Sequence, residues 1–374
     1  MNTLFIKEIE EKSIVWFKNS NSYLVFEPTV VEILYKIEAK IPLLEIQDWY
    51  ANKVETPKEI VLEFITDISK IYTENNILTV EEETNLDEII TPTLFFSEKY
   101  YSIHKSIFKI QYQTAYHESK IHPVIAHLEI KKTSNSNFKY AIFDNNESIV
   151  FFKDKTGIGQ WSKEEVHLFQ GKLSMQLLID MYSKPEKDWM GIFHASAVSN
   201  GKESMLFLGD SGNGKSTSLA LLNANGYNCI ADDFVPIDQN KNIYTYPAAI
   251  SIKEKGISTL LPYYPELENS TEYHFKKTNK IVRYLAPEKI DYTQKQKCKA
   301  LIFIKYNPDI EIDIHLISQI DAFQQLVPDS WISPLEENAS IFLEWFLELP
   351  SYQLTYSNNK KMIETVSKIF NDDL

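Results

Sequence analysis

The chain has 374 residues, of which 44% are apolar, and a formal net charge of −14. This length predicts two or three domains, and the acidic balance excludes general nucleic-acid binding, which needs a basic surface. No run of about 18 apolar residues occurs, so we expect no membrane partner.

The first 17 residues alternate between apolar and acidic positions and do not resemble a signal peptide. The two cysteines, Cys229 and Cys298, lack the spacing of metal ligands. Together these features predict a reduced, cytoplasmic protein.

Residues 1–80 form the first predicted domain. Three strand-like runs, "LFIKEI", "SIVWF" and "SYLVF", precede three helix-like segments. The third helix is predicted to begin with Thr56 as its cap and Pro57 in its first turn. Its predicted apolar face consists of Ile60, Phe64, Ile68 and Ile71. Residues 81–95 are rich in acids and predict a linker.

Residues 96–374 form the second predicted domain. Strand patterns predominate up to about residue 190, and strands then alternate with helices. This order predicts an α/β fold with α+β parts.

Within this domain, "FLGDSGNGKSTSLALL" holds three of the chain's ten glycines. Gly209–Ser216 matches G-x-x-x-x-G-K-[ST], between a short apolar strand and a helix that Gly226 is placed to end. The pattern predicts a P-loop for ATP and Mg²⁺, with Lys215 reaching the β- and γ-phosphates and Ser216 binding the metal. The alternative is an ordinary glycine turn. The predicted nucleotide-binding residues are Gly209, Asp210, Ser211, Gly212, Asn213, Gly214, Lys215, Ser216 and Thr217.

A second candidate feature is "NCIADDFVPID", where a short apolar strand ends in two acids, Asp232 and Asp233. One acid could hold Mg²⁺ while the other takes a proton from an acceptor hydroxyl. The alternative is a solvated strand end. Upstream, His194 in "GIFHASAVS" is predicted beside the strand that leads into the glycine loop, although a lone histidine is more often structural.

Arg283, in "NKIVRYLAP", is the only arginine of the chain. An arginine kept in a lysine-rich chain suggests a bidentate or planar contact that lysine cannot make. We therefore predict that Arg283 contacts the transferred phosphate or the acceptor, and the alternative is a buried pair with an Asp or Glu. Lys253 is a weaker candidate for the same basic wall.

Together these segments resemble the HPr kinase family, whose core is shared with phosphoenolpyruvate carboxykinase. The resemblance covers roughly residues 95–370 and is most specific over residues 193–238. It implies that Asp232 is the base, that Asp233 and Ser216 bind Mg²⁺, and that His194 is a partner of the acids. The chain departs from the family in having "HA" for "HG" and in lacking its later glutamate-arginine signature, which argues against HPr as substrate and against phosphorylase activity.

The first domain resembles PqqD-like domains, small winged-helix modules that bind leader peptides of ribosomally made, modified peptides. The resemblance implies that a precursor peptide binds near Ser22–Phe26 and Pro57–Tyr72. A DNA-binding winged helix has the same element order, but residues 1–90 contain eight lysines, no arginine and 18 acids, which favours a peptide reader. A structural or dimerising domain, and hence a homo-oligomer, is the other alternative.

The sequence therefore predicts a Mg²⁺- and ATP-dependent kinase that phosphorylates a Ser or Thr hydroxyl of a precursor peptide. The alternatives are a small-metabolite kinase of the same fold and a nucleotide-gated peptide-binding protein.

Overall fold

The structure is a computed structural model that describes residues 3–78, 86–275, 280–288 and 290–374. Two compact units are present: Met1–Glu82 with Ile317–Glu348, and Glu83–Leu316 with Leu349–Leu374. Residues 81–85 of the predicted linker lie outside the described residues. In the described ranges, no helix is long and apolar enough to cross a bilayer.

Strands precede helices at the start of the described chain. Residues 3–78 form β1 (Leu4–Ile9), β2 (Lys12–Phe17), β3 (Ser22–Phe26), α1 (Pro28–Glu38), α2 (Leu43–Val54) and α3 (Lys58–Asn75). Residues 86–188 form β4 (Ser97–Ile103), β5 (Ser106–Tyr112), α4 (Ala115–Ile125), β6 (Glu129–Ile130), β7 (Phe138–Asn145), β8 (Ser148–Lys153), β9 (Thr156–Ser162) and α5 (Val166–Tyr182).

The described residues between 189 and 316 form β10 (Trp189–Phe193), β11 (Ser196–Ser199), β12 (Glu203–Leu208), α6 (Lys215–Ala224), β13 (Asn228–Asp232), β14 (Val235–Asp238), β15 (Asn242–Tyr244), β16 (Ile250–Lys253), α7 (Glu254–Leu260), β17 (Tyr273–Phe275), β18 (Lys280–Leu285), β19 (Lys295–Tyr306) and β20 (Ile312–Leu316). Residues 317–374 form α8 (Gln319–Leu326), β21 (Ser330–Ile332), α9 (Glu336–Glu348), β22 (Ser351–Tyr356) and α10 (Asn359–Phe370).

The first unit has an antiparallel sheet of order β1-β2-β3 that is covered on both faces. On one face, Val15 and Phe17 belong to the core formed with α1, α2 and α3. On the other, the ring of Tyr23 lies 5.6 Å from that of Phe342 in α9 and 6.2 Å from that of Phe323 in α8. Every residue of β2 after Lys12 is therefore buried.

This packing differs from the predicted boundaries, which assigned all of residues 96–374 to the second domain. Ile317–Glu348 instead packs with the first unit. The run "IVWF" in β2 carried a signal for this, because adjacent apolar residues point to opposite faces of a strand and both faces then need cover.

The predicted apolar face of α3 is wrong in part. The buried residues of this helix are Val61, Ile65 and Ile68, whereas Ile60 is 63% exposed. Two stripes of i, i+4 apolar residues run along this helix, and spacing alone does not choose between them. The helix also begins one residue later than predicted, at Lys58, and no side chain caps it.

The second unit is mixed α/β. Its central sheet has the strand order β13-β11-β12-β19-β15-β14-β10, with β22 beside β19 and β20 beside β22. The strands β12, β19 and β22 are parallel, and α6 and α10 contribute to the core on one face of the sheet. Two further sheets have the orders β6-β4-β5-β7-β8-β9 and β16-β18-β17.

The register of the central sheet brings the separate sequence motifs to one edge. Ser196, at the start of β11, lies opposite Phe207 in β12 and opposite Asp232 in β13. The end of the strand that leads into the glycine loop, the end of the strand that carries the acids, and His194 just before β11 are therefore close neighbours.

Candidate active site

The glycine loop, Gly209–Ser216, joins β12 to α6 as predicted. Gly209 has φ 129° and Gly214, which precedes α6, has φ 97°, both in the left-handed region that favours glycine. A Cβ atom at Gly209 would lie 2.8 Å from the carbonyl oxygen of Ile304, and one at Gly214 would lie 3.0 Å from the Tyr356 hydroxyl. Both positions therefore need glycine on grounds of conformation and of space.

Lys215 begins α6 and is buried, with 6% of the residue exposed. Its Nζ donates a 2.5 Å hydrogen bond to the carbonyl oxygen of Gly209, so the side chain crosses back over the loop. The ammonium group therefore lies in the concave part of the loop, together with the amide groups at the N-terminus of α6. This arrangement suits an anion.

Asp232 is buried at the end of β13 and accepts three hydrogen bonds. The hydroxyl groups of Ser196 and Ser216 donate to its Oδ1 over 2.6 and 3.1 Å, and the backbone N–H of Ser251 donates to its Oδ2 over 2.9 Å. Burial, together with the charge of Asp233, raises the pKa of Asp232 to about 7 despite these hydrogen bonds.

Asp233 has the opposite surroundings. It lies in the turn between β13 and β14 with φ 62°, and 47% of its side chain is exposed. Its Oδ1 lies 3.8 Å from Nε2 of His194, and both side chains line the same cleft. The turn therefore directs one acid toward the core and the next toward the cleft.

The cleft has a volume of about 400 Å³ and joins the glycine loop to the small sheet β16-β18-β17. Predicted residues that line it are His194, Asp210, Ser211, Gly212, Gly214, Lys215, Ser216, Thr217, Asp233 and the weaker candidate Lys253. Residues that sequence reasoning missed are Ser251, Phe275, Lys280, Val282 and Tyr284. Strand alternation was the available signal, because Lys280, Val282 and Tyr284 occupy every second position of β18.

Gly209, Asn213 and Asp232 do not line the cleft. The backbone N–H of Asn213 donates to the Asp210 carbonyl over 3.1 Å, and its carbonyl accepts from Tyr306 N–H at the same distance. These bonds hold the loop against the end of β19, which is a structural role.

Arg283 does not lie where we predicted. It sits between Val282 and Tyr284 but on the other face of β18, and it does not line the cleft. Its Nη2 donates to Glu272 Oε1 over 2.6 Å, and its Nη1 donates to the carbonyl oxygens of Leu267 and Glu268. Its contacts are those of the alternative interpretation, a partly buried Arg–Glu pair.

The oxygen ligands near the loop fit a magnesium ion. Mg²⁺ prefers hard oxygen donors and is held by one or two protein groups together with phosphate oxygens. Ser216 and Asp232 supply a hydroxyl and a carboxylate oxygen 3.1 Å apart. Across the described part of the chain, no group of three or more His, Cys, Asp or Glu side chains forms a metal site of the all-protein type.

Comparison with known proteins gives no family assignment: no protein-family description matches this chain, and a search of curated proteins finds no significant match.

Proposed function

We propose that the chain is a Mg²⁺- and ATP-dependent kinase that phosphorylates a Ser or Thr hydroxyl of a ribosomally made precursor peptide. One observation carries the kinase proposal. The hydroxyl of Ser216, directly after the loop lysine, donates to the buried carboxylate of Asp232, while Asp233 and His194 open onto the same cleft. A phosphate-binding loop, a metal-ligand pair and a carboxylate facing the acceptor are the parts that phosphoryl transfer needs.

For the two acids we propose the reverse of the roles that the family resemblance implies. Asp232 already contacts Ser216, so these two side chains would hold the metal. Asp233 faces the cleft beside His194, so it accepts the proton. When bound, Mg²⁺ would neutralise part of the charge of the phosphates.

In the proposed reaction the acceptor hydroxyl gives its proton to Asp233 while its oxygen bonds to the γ-phosphorus. The bond between the γ-phosphorus and the β–γ bridging oxygen breaks, and ADP leaves with that electron pair. Lys215 and the loop amides hold the phosphates in place throughout, and His194 supports the carboxylate of Asp233.

The first unit supports a peptide as acceptor. In the described ranges, β3 pairs with β2 alone, so its other edge offers unpaired backbone groups to an added strand. The helix α3 presents Ile60, Leu62 and Phe64 with at least 39% exposure. A free strand edge and exposed apolar side chains are what an extended leader peptide needs, and the free cysteines fit a reducing cytoplasm.

The kinase proposal is tested with the full chain and the variant Lys215→Ala. We expect calorimetry to show Mg²⁺-ATP binding to the wild type and at least tenfold weaker binding to the variant, because the ammonium group is lost from the phosphate site. Phosphoryl transfer to a Ser-containing precursor peptide should fall with it. Unchanged binding and transfer in the variant would contradict the assignment of the loop.

The peptide proposal is tested by replacing Ile60 and Phe64 together with serine. Transfer to the full-length precursor should fall about tenfold or more, while the slow transfer to a leaderless peptide stays the same. Ile90→Ser, at an 88% exposed position in the second unit, is the matched control. Equal losses on both peptides would favour the small-metabolite kinase, and nucleotide binding without transfer would favour the nucleotide-gated binder.

A further inference from the structure

Two lysines of the small sheet point at the same atom of the glycine loop. Lys253 ends β16, and its Nζ lies 2.7 Å from Ser211 Oγ. Lys280 begins β18, and its Nζ lies 3.0 Å from the same oxygen. Lys215 faces the same cleft from within the loop.

A serine hydroxyl does not neutralise two ammonium groups. Neither Lys253 nor Lys280 forms an ion pair with a carboxylate among the described residues. Burial, with the nearby charges of Lys280 and Lys215, lowers the pKa of Lys253. Cations held this close together, with no carboxylate in ion-pair contact among the described residues, make a site for an anion.

The position of this pair favours the terminal phosphoryl group. Lys215 and Ser216 belong to the helix end of the loop, whereas Ser211 lies at its other end. Lys253 is close enough to Asp233 for the two charges to interact, and both line the cleft. The lysine pair therefore lies between the nucleotide end of the site and the acid that faces the acceptor.

We propose that Lys253 and Lys280 bind the γ-phosphoryl group of ATP and stabilise its charge during transfer. This inference rests on the kinase proposal and adds the residues that distinguish ATP from ADP. In other P-loop enzymes an arginine finger supplies this charge. In this chain two lysines on neighbouring strands supply this positive charge from within the same chain. The single arginine lies on the far face of β18 and does not take part.

The test compares ATP with ADP binding in the full chain, in the presence of Mg²⁺, for the wild type, Lys253→Ala and Lys280→Ala. We expect each variant to bind the unreactive ATP analogue with an imido β–γ bridge about tenfold more weakly, the loss of one charge-assisted hydrogen bond. Affinity for ADP should stay within about twofold, because ADP lacks the group that the lysines hold. Lys255→Ala, exposed two residues away on α7, is the matched control.

Transfer gives the second readout. At saturating ATP, the single-turnover rate should fall about 100-fold in each variant, the effect of removing one preorganised donor from a developing charge. Unchanged ADP affinity shows that each variant is folded.

The outcomes separate this inference from the proposed function. If the wild type binds neither nucleotide, or Lys215→Ala binds as the wild type does, the kinase proposal fails and this inference fails with it. If Lys215→Ala loses binding but both lysine variants keep the wild-type preference for ATP over ADP, only this inference is overturned. Equal weakening of ATP binding and ADP binding in the lysine variants also overturns this inference.

Discussion

Replacing Asp232 with asparagine should stabilise the second unit at alkaline pH while abolishing its proposed activity. Burial and the neighbouring Asp233 raise the pKa of Asp232 to about 7 from an ordinary value near 4. A raised pKa in the folded state means that the protonated acid suits the fold better than the carboxylate. Its stabilising effect is complete below pH 4 and is lost as the pH rises through 7.

The size of the effect follows from these two values. Between pH 4 and 7 the unfolded chain has released this proton and the folded chain has not. In this range the free energy of unfolding therefore falls by about 1.4 kcal/mol for each unit that the pH rises. Of the range from pH 5 to pH 8, about two pH units lie below the folded-state pKa. The wild type therefore loses about 3 kcal/mol of free energy of unfolding over this range, and the variant with the neutral asparagine does not. In melting temperature this is on the order of 6–12 °C for a unit of this size.

Thermal melting of the full chain at pH 5 and pH 8, without Mg²⁺ or nucleotide, measures this difference. The melting temperature of Asp232→Asn minus that of the wild type should increase by about 6–12 °C from pH 5 to pH 8. Asp238→Asn is a control of opposite sign. Burial alone would raise the pKa of Asp238, but the 2.6 Å hydrogen bond from Lys184 lowers it, so this variant should be destabilised at both pH values. The same melting difference at pH 5 and pH 8 for Asp232→Asn would refute the reasoning.

Two further predictions concern neighbouring positions. Arg283→Lys should reduce the free energy of unfolding by about 1–3 kcal/mol, because the variant loses the bond to Glu272 and two carbonyl contacts, while the transfer rate per folded molecule stays unchanged. Chemical denaturation measures the free energy, and a transfer rate corrected for the folded fraction measures the activity. A large loss of rate in a stable variant would contradict this prediction. Gly214→Ala should weaken Mg²⁺-ATP binding at least tenfold, because its φ of 97° and the 3.0 Å approach of the Tyr356 hydroxyl exclude a methyl group. Calorimetry measures the affinity for Mg²⁺-ATP, and Gly171→Ala is the control because its added methyl group meets nothing within 4 Å. Equal affinity of the two variants would contradict this reasoning.

The loop itself could be predicted from the sequence because its signal is local. Eight consecutive residues, a preceding strand and a following helix determine the backbone from Gly209 to Ser216. Gly226 also lies where predicted, just after α6, with φ 93°. The mixed α/β class followed from the same alternation of short strands and helices.

The roles of the two acids could not be predicted in the same way. Two adjacent carboxylates in a sequence are equivalent until a turn separates them. The left-handed conformation of Asp233 makes that turn and leaves Asp232 in the core. Nothing in the letters "ADDF" determines which acid takes which conformation.

Arg283 shows the limit of an argument from composition. Its rarity indicated a contact that lysine makes poorly, but rarity does not say which partner the guanidinium group contacts. The alternation of β18 places Lys280 on the cleft side and Arg283 on the other. Of the two lysines that contact the loop, Lys253 was only a weaker candidate, and composition gave no reason to select Lys280.

The two-segment construction of the first unit has a consequence for protein synthesis. A ribosome releases β1, β2 and β3 early, but α8 begins roughly 290 residues after β3 and α9 ends roughly 320 residues after it. At 5–20 residues per second this is a wait on the order of 15–65 s, during which Tyr23 and one face of β2 lack their cover. A nascent chain of this kind exposes an apolar sheet face to chaperones and to other nascent chains until residue 348 has left the exit tunnel. A fragment that ends at residue 80 would carry the same bare face permanently.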